Sequence, residues 1–219
     1  MSFQHIIFDF DGVLAETNEI RFDGFQEVLR GYPAEQLAAL DRWSRANGGL
    51  SRYVKLKHFF NNIRGEAVSS EKLAGYVSRY GEAVMQKVAK APAVAGSVEF
   101  LAANSGRYSY AIISGADEVE LRDVCRMRGV NEYFDFILGA PLGKRENIVK
   151  LLAESSWDRG KTVFVGDSIN DYDAAEAEKI FFVGRNSGLD DWTTKAVPRI
   201  TDLSELAGVL LQCHPNNDH

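Results

Sequence analysis

An α/β fold is predicted for this chain: a doubly wound, open parallel sheet with an all-helical insertion after its first strand. Three observations predict it. The chain begins with an apolar run, Phe3 to Phe8, that reads as a buried strand. Residues 15–90 then carry apolar stripes at helical spacing. From residue 98 onward short buried strands and helices alternate, as they do when helices cover both faces of a parallel sheet.

Taken in order, the first strand runs into Asp9-Phe10-Asp11-Gly12-Val13-Leu14. Residues two apart on a strand share a face, so Asp9 and Asp11 are expected to project together where the strand ends. Like charges that close need a bound cation or a proton on one of them. Gly12 lets the chain turn away without a side chain blocking that spot. A calcium loop does not fit, because the next ligand position is Val13.

The insertion shows four stripes: Phe22, Phe25, Val28 and Leu29; then Leu37, Leu40 and Trp43; then Tyr53, Leu56, Phe59 and Phe60; then Leu73, Tyr76, Val77, Tyr80 and Val84. Four or five helices are expected. Between the second and third stripes lies a flexible loop, Asn47 to Arg52, with two glycines. Residues 91–96 read as the linker back to the sheet domain. The predicted domains are therefore residues 1–14 with 91–219, and a helical cap over 15–90.

Beyond the linker, helix is expected over 98–104 and strand over 108–113, ending at Ser114-Gly115. Helix follows over 119–128, closed by Gly129, then strand over 134–138 and helix over 146–154. The next strand, 162–165, ends at Gly166-Asp167-Ser168, before a short helix over 171–177. Strands over 180–183 and 197–200 and a helix over 203–211 complete the pattern. Right-handed crossovers put all the strand C-termini at one edge, where ligands of such folds bind. Asp9, Asp11, Ser114, Gly115, Asp167 and Asp171 would meet there, with Lys144 in a loop facing the same edge. Singly, Ser114-Gly115 is ordinary turn chemistry, Asp167-Ser168 an ordinary helix cap and Lys144 a solvated lysine.

Composition is that of a globular protein, 45% hydrophobic and 26% charged. A net charge of −6 speaks against nucleic acid held by bulk electrostatics. The charge is uneven: residues 15–90 carry 12 Lys and Arg against 9 Asp and Glu, while the remainder carries 13 against 22. Cys125 and Cys213 have no metal-ligand spacing and read as reduced thiols. With no signal-like start and no long apolar run, a cytoplasmic protein without membrane contact is expected. The tail at 214–219 is polar and expected to fray.

With these motifs in order (Asp9-Phe-Asp11-Gly-Val-Leu, Ile113-Ser114-Gly115, Gly143-Lys144 and Gly166-Asp167-Ser168-Ile-Asn-Asp171), the chain resembles the haloacid dehalogenase superfamily. It is similar to the helical-cap phosphatases of the phosphoglycolate phosphatase and beta-phosphoglucomutase-like branch. The resemblance implies a Rossmann-like core and magnesium held by Asp9, the Asp11 carbonyl and Asp167, with Asp171 a direct or an outer partner. It implies Asp9 as nucleophile, Asp11 as acid and base, and Ser114, Gly115 and Lys144 as phosphate binders. Asp11 also separates phosphoryl chemistry from the dehalogenases, which lack that acid.

Substrate choice is expected in the cap, at Glu16, Gly49, Arg52 and Lys55, with Asn18 also near the crevice. A position that relatives often fill with Thr or Ser is Ala15 here. The resemblance thus implies a magnesium-dependent phosphatase of a small phosphorylated metabolite such as a sugar phosphate, working through an aspartyl-phosphate. The alternatives are a phosphomutase using the same intermediate, or an inactive relative that binds or regulates. A phosphonate hydrolase would need a Schiff-base lysine, and nothing singles out Lys55 or Lys57. A serine hydrolase around Ser114 fails because residue 112 is Ile. Oligomeric state is not legible.

Overall fold

A computed structural model describes residues 2–213; the polar tail at 214–219 lies outside the described residues. Six strands form one sheet: β1 (His5–Phe8), β2 (Ser109–Asp117), β3 (Phe136–Ala140), β4 (Thr162–Gly166), β5 (Phe181–Arg185) and β6 (Arg199–Ile200). Their order across the sheet is β3-β2-β1-β4-β5-β6, and every pairing is parallel.

The central strands are buried on both faces, which is why they read as unbroken apolar runs. Register sorts their side chains. Ile6 lies beside Tyr110 and Val163, and Ile7 beside Ala111 and Phe164. One face therefore gathers Ile6, Phe8, Tyr110, Ile112, Val163 and Val165 into the larger core. The other gathers Ile7, Ala111, Ile113, Phe164 and Phe182 under Trp192. The chain builds outward from β1 to β3, then crosses back to β4 on the other side of β1. That reversal leaves a crevice at the carboxyl ends of β1 and β4.

Between β1 and β2 run α1 (Asn18–Val28), α2 (Ala34–Ala46), α3 (Arg52–His58) and α4 (Ser70–Lys90), and then α5 (Ser97–Ala103). The first four pack on one another, with the Phe25 and Tyr80 rings 4.5 Å apart between α1 and α4. The third stripe is broken in a way periodicity does not announce. Residues Phe59–Ile63 form a π-turn, closed by Arg64 N–H donating to the Phe59 carbonyl at 3.0 Å. The wider turn allows the consecutive Phe59 and Phe60 both to be fully buried.

The remaining helices are α6 (Glu118–Met127), α7 (Lys144–Glu154), α8 (Ile169–Ala177) and α9 (Leu206–Gln212). Several boundaries differ from expectation, among them β6, which is only two residues long, and α9, which begins at Leu206 rather than Leu203; three lie near the strand ends. β2 continues past Ser114 to Asp117, across a register shift after Ile113. β3 begins two residues late, because a tight turn at Asn131–Tyr133 takes up chain first. α7 starts at Lys144 rather than Glu146, since the Glu146 carboxylate reaches back to accept from Gly143 N–H. Among the described residues no helix is long and apolar enough to cross a membrane.

Phe164 is fully buried in the second core. Phe164→Ala should lower unfolding stability by about 3–5 kcal/mol, read as a reduced urea midpoint.

Candidate active site

Strand pairing carries Asp9 into place. Its N–H donates to the Val165 carbonyl at 2.9 Å, and its Oδ1 accepts from Phe10 N–H at 2.7 Å. The chain then turns at Gly12, with φ +71°, where a Cβ would lie 2.0 Å from Asp167 Oδ2. Only glycine lets the turn pass that close to the next strand's aspartate. Asp167 follows β4 directly and accepts from Asn18 Nδ2 at 2.7 Å. Asp171, in the first turn of α8, accepts from Ser168 N–H at 3.1 Å and Ser168 Oγ at 2.7 Å.

Lys144 joins these segments. Its Nζ donates to Asp9 Oδ2 at 2.8 Å and Asp171 Oδ1 at 2.5 Å. One oxygen from each of Asp9, Asp167 and Asp171 lies within 4.8 Å of the others, and all three residues are buried. Two buried carboxylates thus share one ammonium, with a third beside them. Burial pushes the Asp9 carboxyl well above the usual range against the pull of Lys144, with Asp171, Asp167 and Asp11 adding to the rise. Burial, reinforced by Asp171, takes Asp167 up to about 7 despite bonds from Ser187 and Asn18. Burial opposes the charge on Lys144, but Asp171 and Asp9 outweigh it and raise its pKa. An oxygen-only donor set with surplus negative charge suits a hard divalent cation, so the residues fit magnesium.

Asp11 departs from the expectation of two facing carboxylates. The last ladder bond is that of Asp9 N–H, and the chain turns at Gly12, so the same-face rule no longer holds between Asp9 and Asp11. The Asp11 side chain is 17% exposed against 3% for Asp9. It accepts from Thr17 Oγ1 at 2.5 Å and Arg21 Nε at 2.9 Å. It thereby joins α1, and among the described residues it stands outside the three-carboxylate group.

Asp9, Asp11, Ser114, Gly115 and Asp167 line one side of a cavity, and the helical insertion supplies the opposite wall. Ser114 Oγ accepts from Ala116 N–H at 3.2 Å. Lys144 lies in the adjoining groove with Gly49 and Gly115. The cavity volume is about 50 Å³, where one water needs roughly 10–15 Å³ on the same measure. The loop after α2 presses onto the strand ends. A Cβ on Gly115 would lie 2.3 Å from the Gly49 carbonyl, and Asn170 Nδ2 donates to the Gly48 carbonyl at 2.5 Å.

The expected cap residues are placed differently from one another. Gly49 lies against Ser168 and Lys144. Arg52 lines the cavity, but its guanidinium forms a fork with Glu120, both bonds 2.7 Å, and lies 3.7 Å from Asp117. Glu16 turns away from the cavity and pairs with Arg185 at 2.6 Å, while Arg185 also donates to the Gly12 carbonyl at 3.0 Å. Lys55 lines the cavity and is buried; burial brings its pKa down to about 8, partly offset by Asp11. Arg21 is the residue the sequence reading missed. The available signal was its spacing, four residues after Thr17 and three after Asn18, which puts all three on one face of α1.

The family model for haloacid dehalogenase-like hydrolases matches residues 6–184. The chain belongs to that family. Among solved structures, this hydrolase resembles a predicted phosphatase from Clostridium acetobutylicum at 15% identity and TM-score 0.79, covering 97% of this chain and 100% of that one. CbbY from Rhodobacter sphaeroides, in complex with phosphate, matches at 18% identity and TM-score 0.78, over 96% and 100%. The hydrolase YfnB from Bacillus subtilis, bound to magnesium, matches at 14% and 0.69, over 96% and 100%. At these identities the likeness is one of fold. No curated protein matches the sequence.

Replacing Lys144 strands two buried carboxylates beside a third. Lys144→Met should cost about 3–5 kcal/mol of stability, read by urea unfolding in the absence of divalent cations.

Proposed function

We propose that this hydrolase is a magnesium-dependent phosphatase of a small phosphorylated metabolite, such as a sugar phosphate, acting through an aspartyl-phosphate on Asp9. The observation that carries the reading is the Lys144 ammonium shared by Asp9 and Asp171 beside Asp167, with Asp11 apart from that group. One carboxylate is thus set among cation-binding partners, and the other is held apart from them by Arg21 and Thr17 of α1. Residues 1–14 and 91–219 would form the catalytic core, and 15–90 the cap over it.

The side chains of Asp9 and Asp167 and the Asp11 carbonyl would hold the magnesium ion, with Asp171 adjoining. Bound there, it would neutralise charge on the phosphoryl oxygens. Asp9 attacks phosphorus in line, and the bond to the leaving oxygen breaks as Asp11 gives that oxygen a proton. Asp11 then takes a proton from the water that attacks the acyl phosphate, releasing phosphate and restoring Asp9. To donate first, Asp11 has to exchange its contacts with Arg21 and Thr17 for a proton. Those two residues belong to the insertion, so cap movement governs the acid. Ser114, the Gly115 amide and Lys144 are suited to the phosphoryl oxygens, being donors beside Asp9.

With magnesium and p-nitrophenyl phosphate, wild type should release phosphate, and Asp9→Asn should lose about a thousandfold or more in kcat. Unchanged hydrolysis in that variant would sink the assignment. Asp167→Ala should raise the magnesium concentration needed for half-maximal rate by about tenfold or more, and EDTA should stop the wild-type reaction until magnesium is restored. An isomerised sugar phosphate in place of free phosphate would indicate the mutase.

A further inference from the structure

Arg185 is buried at the end of β5, outside the group around Lys144. Its Nε donates to the Thr201 carbonyl at 3.0 Å, which ties it to the sheet domain. Nη1 donates to the Gly12 carbonyl at 3.0 Å. Nη1 and Nη2 also form a fork with the Glu16 carboxylate, at 3.1 and 2.6 Å. Residues 12 and 16 bracket the segment that leaves the strand end for the insertion. Between them the Leu14 carbonyl accepts from Val94 N–H at 3.1 Å and Ser97 Oγ at 3.2 Å. The sheet domain therefore holds this segment as far as Glu16. The next residue is bonded the other way: Thr17, with Arg21, holds the Asp11 carboxylate from α1. Asp11 thus lies on a turn held from two sides, its backbone neighbours by the sheet domain and its side chain by the insertion. A planar guanidinium forked onto a carboxylate is a directional attachment, one that a flexible ammonium would not reproduce.

We propose that Arg185 is a positioning residue for Asp11: its hold on Gly12 and Glu16 keeps the acid at the strand end when the insertion carries Thr17 and Arg21 away. This rests on the phosphatase reading, in which Asp11 gives the leaving oxygen its proton as the bond to phosphorus breaks. Without that hold, the two bonds from α1 would draw the turn along with the insertion, and Asp11 would stay paired. The pivot of the outgoing chain then falls between Glu16 and Thr17, where the holder of the segment changes. On the returning side, Arg128 of α6 donates from Nη1 to the Val88, Ala89 and Ala91 carbonyls at 3.2, 3.2 and 2.7 Å. Both crossings are thus anchored by an arginine of the sheet domain, and Arg185 is the one beside the acid.

The test compares two esters of similar size that differ in their need for the acid. Nitrophenolate leaves p-nitrophenyl phosphate without a proton, whereas the more basic phenolate of phenyl phosphate departs far better with one. The ratio kcat/KM covers only the steps up to loss of the leaving group, so it isolates Asp11 acting as acid. Arg185→Met should lower kcat/KM for phenyl phosphate by about tenfold to a hundredfold, while p-nitrophenyl phosphate stays within about threefold of wild type. Glu16→Gln, at a side chain 45% exposed, should show a smaller loss of the same one-sided kind. Equal losses on both esters would show that Arg185 only supports the fold, and would overturn the proposal; so would unchanged rates on both. If Arg185→Met does not fold, Glu16→Gln carries the same test, and an unselective loss or none overturns the proposal. Wild type that hydrolyses p-nitrophenyl phosphate but not phenyl phosphate would also overturn it, since no acid would be at work, and would leave the phosphatase reading standing. If neither ester releases phosphate, the phosphatase reading fails and this proposal falls with it.

Discussion

The Lys144 ammonium between Asp9 and Asp171 is the contact on which the rest of the structure depends. It is formed by residues 135 and 27 positions apart in the chain, at a depth where unpaired charge is costly. Three carboxylates share this pocket, and each reaches it from a separate segment or turn: Asp9 after β1, Asp167 after β4 and Asp171 in the first turn of α8. Lys144 opens α7 and closes the group. The reversal of strand order beside β1 is what lets segments so distant in sequence end side by side. One cation against three acids leaves a surplus of negative charge, and that surplus is what makes the pocket suited to a metal ion.

The second constraint is the fit between the helical insertion and the strand ends. Gly12 and Gly115 are places where the backbone passes too near Asp167 and Gly49 for any side chain. Charge is matched across the same surface, by Arg21 with Asp11 and by the Arg52 fork with Glu120. These pairs join the insertion to the sheet domain while the cavity between them stays small. Lys55 lies on that wall with one hydrogen bond, to the Ser44 carbonyl, and no ion pair among the described residues, unlike Arg21 and Arg52 beside it.

Much of this was legible in the sequence. The apolar runs ending in Asp9, Ser114 and Asp167 located the crevice, because a strand buried on both faces has a distinctive pattern and its end is where polarity returns. Lys144 was harder: alone it resembles any loop lysine, and only the Glu146 contact with Gly143 shows that a helix begins there. Periodicity located the insertion helices but missed the π-turn that buries Phe59 and Phe60 together. The partners of Asp11, Arg52 and Glu16 were out of reach, since each depends on how α1, α3 or β5 is oriented in space. Arg52 and Glu120 lie 68 residues apart, and no local rule pairs them. Arg21 became visible only once α1 was seen to point one face at the site.

The account stands on Asp9 becoming covalently phosphorylated during turnover. The direct measurement is a single-turnover reaction quenched in acid, followed by mass spectrometry of the peptides. The account predicts that the peptide containing Asp9 transiently gains the mass of one phosphoryl group, located on the Asp9 carboxylate. Substrate consumed with the phosphoryl group on Ser114, or on no residue of the enzyme at any time in the turnover, would contradict it.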